Sequence, residues 1–403
     1  SLLKVNGKCH LGRLGAPQQP RDARMGSSSL RCILALLLLC VACRLVHAQF
    51  ADDESSPVVP SFVEKKHHRK PQPSKPTVNN WPVIGVIAQP TSKRDQELHG
   101  GEPGRCYIAS SYVKWIEGSG ARVLPIPYNV SEEVLDDYFD NVNGLLFTGG
   151  GCNVNQTKFF YSVMHLYDRA VEANLRGDYF PVWGICMGFQ LLSILSSTPR
   201  SVDLLKKFDT LNYAINLDYT KEAEASRSFN FVGGNVLNTL NKRLTAFNNH
   251  AWGVLPSDYE ADPKLKEIFK VISTSVDRQG AVFISTFEGR TLPFYATQWH
   301  PEKPLYEWQE RLLIEHDYDT IVMGQSFGNF FIQEARKNFH ELSERLESEL
   351  IFAFTSTYTA PVGSEFENCY FFNSITWGNG PSENSKGSSK LIVDTEKHEP
   401  EAQ

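Results

Sequence analysis

Three short and almost wholly apolar runs recur along the chain: Pro82-Val-Ile-Gly-Val-Ile-Ala88, Gly144-Leu-Leu-Phe147 and Phe180-Pro-Val-Trp183. Each is too short for a buried helix and lacks polar alternation, the pattern of a strand covered on both faces. Between them lie stretches with helical spacing: Tyr107 to Gly118, a helix entered at Ser131 that carries Val134, Leu135, Tyr138 and Phe139, and Lys158 to Leu175. Ser131 stands as the cap of the second, ahead of two acids at its positive end. Val123-Leu-Pro-Ile-Pro127 reads as another strand. Strand and helix in alternation predict an α/β domain with a mostly parallel central sheet flanked by helices. Val271 to Thr274, Ala281 to Ser285 and Pro293 to Gln298 predict further strands that close the domain, and Ser326 to Lys337 a helix.

The ends of the chain differ in character. Residues 1–24 mix Gly, Pro, Gln and Arg without period and read as a non-native upstream segment. From Met25 a short cationic start leads into an apolar run, Cys32 to Cys43, followed by Val46-His-Ala48. That is the layout of a signal peptide over 25–48, and the run is shorter than the roughly 20 residues a membrane span needs. Residues 49–79, with Glu64-Lys-Lys-His-His-Arg-Lys70 followed by Pro71-Gln-Pro-Ser-Lys-Pro76, predict a flexible linker; a processing site or a contact with an anionic surface is the other reading of the basic run. Residues 373–403, rich in Gly, Ser, Asn and Glu, predict a disordered tail. With 40 basic and 46 acidic residues the chain carries no footprint for nucleic acid. Beyond the leader stand Cys106, Cys152, Cys186 and Cys369, enough for two bridges or for one reactive thiol among structural ones. The sequons at Asn129 and Asn155 add to the expectation of a secreted or lysosomal protein.

Three motifs carry chemistry. In Trp183-Gly-Ile-Cys186-Met-Gly188-Phe-Gln190 a strand ends, glycines flank a cysteine, and an apolar helix begins. Glycines permit the tight strand-to-helix turn of a nucleophile elbow, and a helix N-terminus favours thiolate. Cys186 is then either a nucleophile or a small buried apolar residue. In Gln298-Trp-His300-Pro-Glu302-Lys303, a histidine and a carboxylate two residues apart on extended chain would point the same way, so that the acid orients the imidazole toward a thiol. Thr148-Gly149-Gly150-Gly151 ends an earlier strand; it is either a plain loop or, with the N–H of Met187, an oxyanion hole.

Together the three resemble the class I glutamine amidotransferase fold, a flavodoxin-like three-layer sandwich, and within it the γ-glutamyl hydrolase family. Tyr107-Ile-Ala-Ser-Ser-Tyr-Val-Lys114, Phe247-Asn-Asn-His250-Ala-Trp252 and Glu302-Lys-Pro-Leu-Tyr-Glu-Trp308 resemble the hydrolases in particular, and the likeness spans about residues 80–372, the expected catalytic domain. The resemblance implies cleavage of γ-glutamyl amides in folyl or antifolate poly-γ-glutamates. Cys186 would be nucleophile, His300 base and then acid, and Glu302 its orienter; His250 and Trp252 would lie near the substrate, with His250 assisting, and Lys303 would hold a substrate carboxylate. No metal or organic cofactor is needed, and a homodimer is the familiar assembly. Many relatives carry an acid where this chain has Gln190; glutamine there is common in the amidotransferases. The rival readings are a glutaminase subunit and a non-enzymatic secreted glycoprotein on the same fold.

Overall fold

The computed structural model describes residues 77–91 and 105–373. The upstream segment, the leader, nearly all of the linker and the tail beyond Asn373 lie outside the described residues.

Fourteen strands and the helices that position the site follow in order: β1 (Val83–Ile87), β2 (Gln89–Pro90), β3 (Arg105–Ala109), α1 (Ser110–Gly118), β4 (Arg122–Ile126), α2 (Glu132–Asp140), β5 (Leu145–Phe147), α3 (Lys158–Leu175), β6 (Val182–Ile185) and α4 (Met187–Leu195). Then come β7 (Leu205–Ile215), β8 (Asp218–Tyr219), β9 (Ala246–Val254), β10 (Phe269–Val276), β11 (Val282–Gly289), β12 (Phe294–Thr297), α5 (Tyr318–Ala335), β13 (Thr357–Tyr358) and β14 (Asn368–Asn373). The main sheet runs β4-β1-β5-β6-β12-β11-β10-β8. Its strands from β4 to β12 pair in parallel, whereas β11, β10 and β8 are added antiparallel. This is the α/β sandwich that the alternation of elements predicts, with an antiparallel extension that alternation alone does not announce.

Period-two alternation assigns the strand residues to two cores. Val182, Phe294 and Ala296 pack on one face with Phe139, Val163 and Leu192, while Trp183, Ile185 and Tyr295 pack on the other with Trp115 and Phe331. Every residue of β1, β5, β6 and β12 is buried, as both-face coverage requires.

Several expected boundaries move. The stretch from Tyr107 begins as strand, and helix starts only at Ser110. Residues 105–109 are drawn into a second sheet by β14, where Tyr107 pairs with Phe371 and Ala109 with Cys369. A partner more than 250 residues away thus overrides the local helical spacing. The helix expected from Ser326 starts at Tyr318, where the Asp317 side chain accepts the N–H groups of Asp319 and Thr320. Ser131 occupies the N-cap of α2 ahead of Glu132 and Glu133, but its side chain makes no capping hydrogen bond. The antiparallel ribbon β7–β9, which helical or alternating pattern did not announce, packs against α4 and β11. All four described cysteines are free thiols. Among the described residues no helix is long and apolar enough to cross a membrane, and no cluster of His, Cys, Asp and Glu is able to hold a metal ion.

Candidate active site

Strands β5, β6 and β12 are neighbours and parallel, so their carboxyl ends emerge together. Open α/β sheets present their functional loops along this edge. Gly149 and Gly150 follow β5, Cys186 follows β6, and His300 follows β12. Topology therefore gathers three motifs that lie 150 residues apart in the chain.

Cys186 sits on the turn between β6 and α4 with φ 54° and ψ −104°. A side chain in that region carries strain of about 1–3 kcal/mol, a feature that surrounding packing must enforce. The flanking glycines show how. A Cβ on Gly184 would lie 2.5 Å from the Gly188 carbonyl oxygen, and one on Gly188 would lie 1.9 Å from that of Phe147. Only hydrogen fits at either position, so α4 can start directly against β5 and β6. The Cys186 N–H donates to the Thr297 carbonyl (2.8 Å), tying the turn to β12. The sulfur is 3.9 Å from the Asn249 carbonyl oxygen, in a residue only 4% exposed.

His300 is buried beside it. Its Nδ1 donates to Glu302 Oε1 at 2.7 Å and lies 3.5 Å from Tyr112 Oη, and the Cys186 sulfur is a further hydrogen-bonding neighbour. Glu302 is fully buried, and its second oxygen, Oε2, has no protein partner. Burial by itself pushes the His300 imidazole down; the charges and hydrogen bonds of Glu302 and Cys186 outweigh it and raise it to about 9. The two side chains meet through a bend rather than the extended chain that the spacing suggests: Glu302 has φ −79° and ψ −30° and opens the short helix Lys303–Tyr306.

The glycine loop is held from below. Buried Gln89 donates to Thr148 Oγ1 (2.6 Å) and to the Gly149 carbonyl (2.7 Å), and a Cβ on Gly150 would fall 1.9 Å from Gln89 Oε1. Gly149 packs directly against the reacting groups: its Cβ position lies 2.5 Å from Tyr112 Oη, 2.9 Å from His300 Cε1 and 3.1 Å from Cys186 Cβ. Gly151 is exposed, with nothing within 4 Å of its Cβ position. Met187, at the start of α4, is buried, and its sulfur touches Cys152 Sγ at 3.6 Å.

The remaining motif residues surround this centre. Gln190 donates to the Trp252 carbonyl at 2.8 Å. His250 is buried on β9, opposite Thr210 of β7: its Nδ1 is 2.9 Å from the Trp252 carbonyl and 3.1 Å from Thr210 Oγ1, and its Nε2 is 3.1 Å from Asn248 Oδ1. Burial pushes His250 down to about 3; the Trp252 bond opposes this and the nearby His300 charge adds to it. A neutral His250 carries one N–H, which its Nδ1 donates to the Trp252 carbonyl, in the strand that presents the Asn249 carbonyl to the sulfur. The Trp252 ring is partly exposed beneath Lys207 Nζ, 5.4 Å from its centroid. Lys303 is 1% exposed, with its ammonium 3.5 Å from the Glu365 carbonyl and 4.6 Å from the centroid of Phe366. Asn129 and Asn155 are both exposed, on loops away from regular elements.

Comparison with known sequences adds the family. The Peptidase C26 family profile matches residues 82–302. Gamma-glutamyl hydrolase B of Dictyostelium discoideum is 34% identical over 303 residues, 74% of this chain and 85% of that one. The human gamma-glutamyl hydrolase is 37% identical over 295 residues, 72% of this chain and 90% of its own. The chain belongs to the γ-glutamyl hydrolase family. Among solved structures, the glutaminase domain of Trypanosoma brucei CTPS overlaps 65% of this chain and 98% of its own at 14% identity and a TM-score of 0.40.

In this γ-glutamyl hydrolase family member, part of the site lies past the matched stretch. Glu365 Oε2 accepts from the Asn249 amide (2.7 Å), Glu307 Oε2 accepts from the Glu367 N–H (2.6 Å), and Phe366 packs against Tyr107 and Tyr112. The C-terminal segment before β14 therefore walls one side of the site. Motif reading did not assign roles to Gln89, Tyr112, Asn249 or Phe366. Tyr112, Asn249 and Phe366 lie in family-like segments, the last in Ile351 to Phe372, and Gln89 directly follows the first apolar run.

Proposed function

We propose that residues 80–372 form a catalytic domain that hydrolyses γ-glutamyl amides, chiefly in folyl or antifolate poly-γ-glutamates, through a thioester on Cys186. The single observation that supports this most is the strained Cys186 turn beside a buried His300–Glu302 pair. An imidazolium next to a sulfur is the charge arrangement of an activated cysteine nucleophile.

In this scheme the Cys186 sulfur attacks the γ-carbonyl carbon, and the carbonyl electron pair moves to oxygen. Backbone N–H groups of Met187 and the Gly149–Gly150 loop receive that oxyanion. His300 gives its proton to the leaving α-amine as the C–N bond breaks, which leaves the glutamyl thioester. His300 then takes a proton from water, whose oxygen displaces the sulfur. A buried Lys303 ammonium with no ion-paired carboxylate among the described residues supports its role as holder of a substrate carboxylate. The arrangement calls on no metal or cofactor. The leader-like stretch 25–48 and the exposed sequon asparagines support a secreted or lysosomal location, and a homodimer is the expected assembly.

The substrate class is tested by giving the chain a folate pentaglutamate, a γ-glutamyl dipeptide and free glutamine, with products read by mass spectrometry. Shortened folates, formed far faster than glutamate from glutamine, are the expected result. A strong preference for free glutamine would instead identify a glutaminase.

A further inference from the structure

Tyr112 is a polar group in the site that the scheme above leaves unused. It is fully buried, near the start of α1, and its hydroxyl stands against Gly149, 2.5 Å from where a Cβ would lie. His300 Cε1 and Cys186 Cβ lie 2.9 and 3.1 Å from that same point, so the hydroxyl stands close to both nucleophile and base. The hydroxyl's one protein neighbour within hydrogen-bonding range is His300 Nδ1, at 3.5 Å. That nitrogen already donates to Glu302 at 2.7 Å and has no lone pair to offer. The phenolic oxygen is able to accept a minor share of that N–H, which leaves its own O–H without an acceptor. A fully buried donor with nothing to donate to is costly unless a ligand completes it.

We propose that Tyr112 is a further catalytic residue of this site, a side-chain donor to the oxyanion alongside the backbone N–H groups. The inference rests on the Cys186 thioester reading. As the sulfur–carbon bond forms, the carbonyl oxygen gains a full negative charge and the Tyr112 O–H bonds to it. When the intermediate collapses, the electron pair returns, the C–N bond breaks and His300 supplies the amine's proton. Tyr112 keeps its own proton throughout.

The surroundings suit that part. Burial, then the charges of Glu302, Cys186, Tyr107 and Glu307, hold the phenol well above its ordinary range, so it is a neutral donor at every working pH. A donor fixed before the reaction loses no reorganisation when charge develops, and a bond from O–H to an oxyanion is stronger than one to a neutral carbonyl. The packing of Phe366 on the Tyr112 ring, with centroids 6.3 Å apart, holds the phenol in place from the C-terminal segment.

Tyr112→Phe in the full chain removes one oxygen and retains the ring. The expected result is a fall in kcat of roughly 100-fold with KM little changed, at an unaltered melting temperature. A γ-glutamyl aldehyde, which forms a tetrahedral adduct with a cysteine, is expected to bind more weakly by a similar factor. Ground-state binding of the dipeptide, compared between Cys186→Ala and the Cys186→Ala/Tyr112→Phe double variant, is expected to be equal. Iodoacetamide alkylation of Cys186 as a function of pH separates this from a mere prop for His300. An unchanged profile supports the donor role; a shifted profile that accounts for the lost activity overturns it. Turnover of Tyr112→Phe within twofold of wild type also overturns it. Turnover by Cys186→Ala would instead defeat the thioester reading itself.

Discussion

Glu302→Gln is expected to lower kcat by about 10³–10⁴-fold while the protein stays folded, the order of loss seen when the carboxylate of a catalytic triad becomes an amide. The Glu302 carboxylate does two jobs at Nδ1 of His300. Its Oε1, 2.7 Å away, fixes the proton on that nitrogen and so aims the other edge of the ring at the sulfur. Its charge also sustains the imidazolium, since burial alone would depress His300 and the raised value of about 9 rests on Glu302 and Cys186. An amide of the same shape accepts from Nδ1 more weakly or, by donating to it, favours the wrong tautomer, and it carries no charge. The sign of the pH effect follows: without the carboxylate the imidazolium is lost at a lower pH, and the alkaline limb of kcat/KM moves down from about 9. Rates measured from pH 4 to 10 on both proteins check this. A variant that kept its limb in place would show that Glu302 does not govern the His300 charge.

Gly149→Ala is expected to reduce turnover by about 100-fold or more, because one methyl group would push the Tyr112, His300 and Cys186 side chains out of place. Its Cβ would stand 2.5 Å from Tyr112 Oη and within 3.1 Å of Cys186 Cβ, inside contact distance of groups that must move little during catalysis. The atoms it meets belong to buried side chains, two of them, Tyr112 and Cys186, in one of the two cores. A fall in melting temperature is therefore expected as well, and turnover is read on protein shown to be folded. Gly151→Ala is the control on the same loop, since its Cβ enters open space and should leave turnover near wild type. Activity in Gly149→Ala matching that of Gly151→Ala would show that the close packing of Gly149 on Tyr112, His300 and Cys186 does not matter to the mechanism.

These positions show what was legible in the chain and what was not. The Cys186 elbow and the Thr148–Gly150 loop announce themselves because their geometric demands are local: a positive φ, and glycines where backbone meets backbone at Gly184 and Gly188. The His300–Glu302 contact was legible as a pair, although the chain achieves it by a bend and not by extended alternation. Tyr112 and Phe366 were hidden, since nothing within a few residues of either says that β14 pairs with β3 and carries the C-terminal segment to the site. The same pairing hid the strand at Arg105–Ala109 beneath an apparently helical pattern. The antiparallel β10 and β11 were visible as strands, but their direction depends on connections that periodicity does not encode. His250 reads as an assistant to catalysis from its motif; its hydrogen bond to the Trp252 carbonyl and its contact with Thr210 give it a place in the ribbon that presents the Asn249 carbonyl.

The most direct test of the account is the turnover of a folate pentaglutamate by purified Cys186→Ala, with circular dichroism and melting temperature recorded on the same sample. The expected result is a folded protein that yields no product above the uncatalysed background, while wild type shortens the tail. A folded Cys186→Ala that still cleaved the substrate within about tenfold of wild type would contradict the thioester mechanism and with it the central claim.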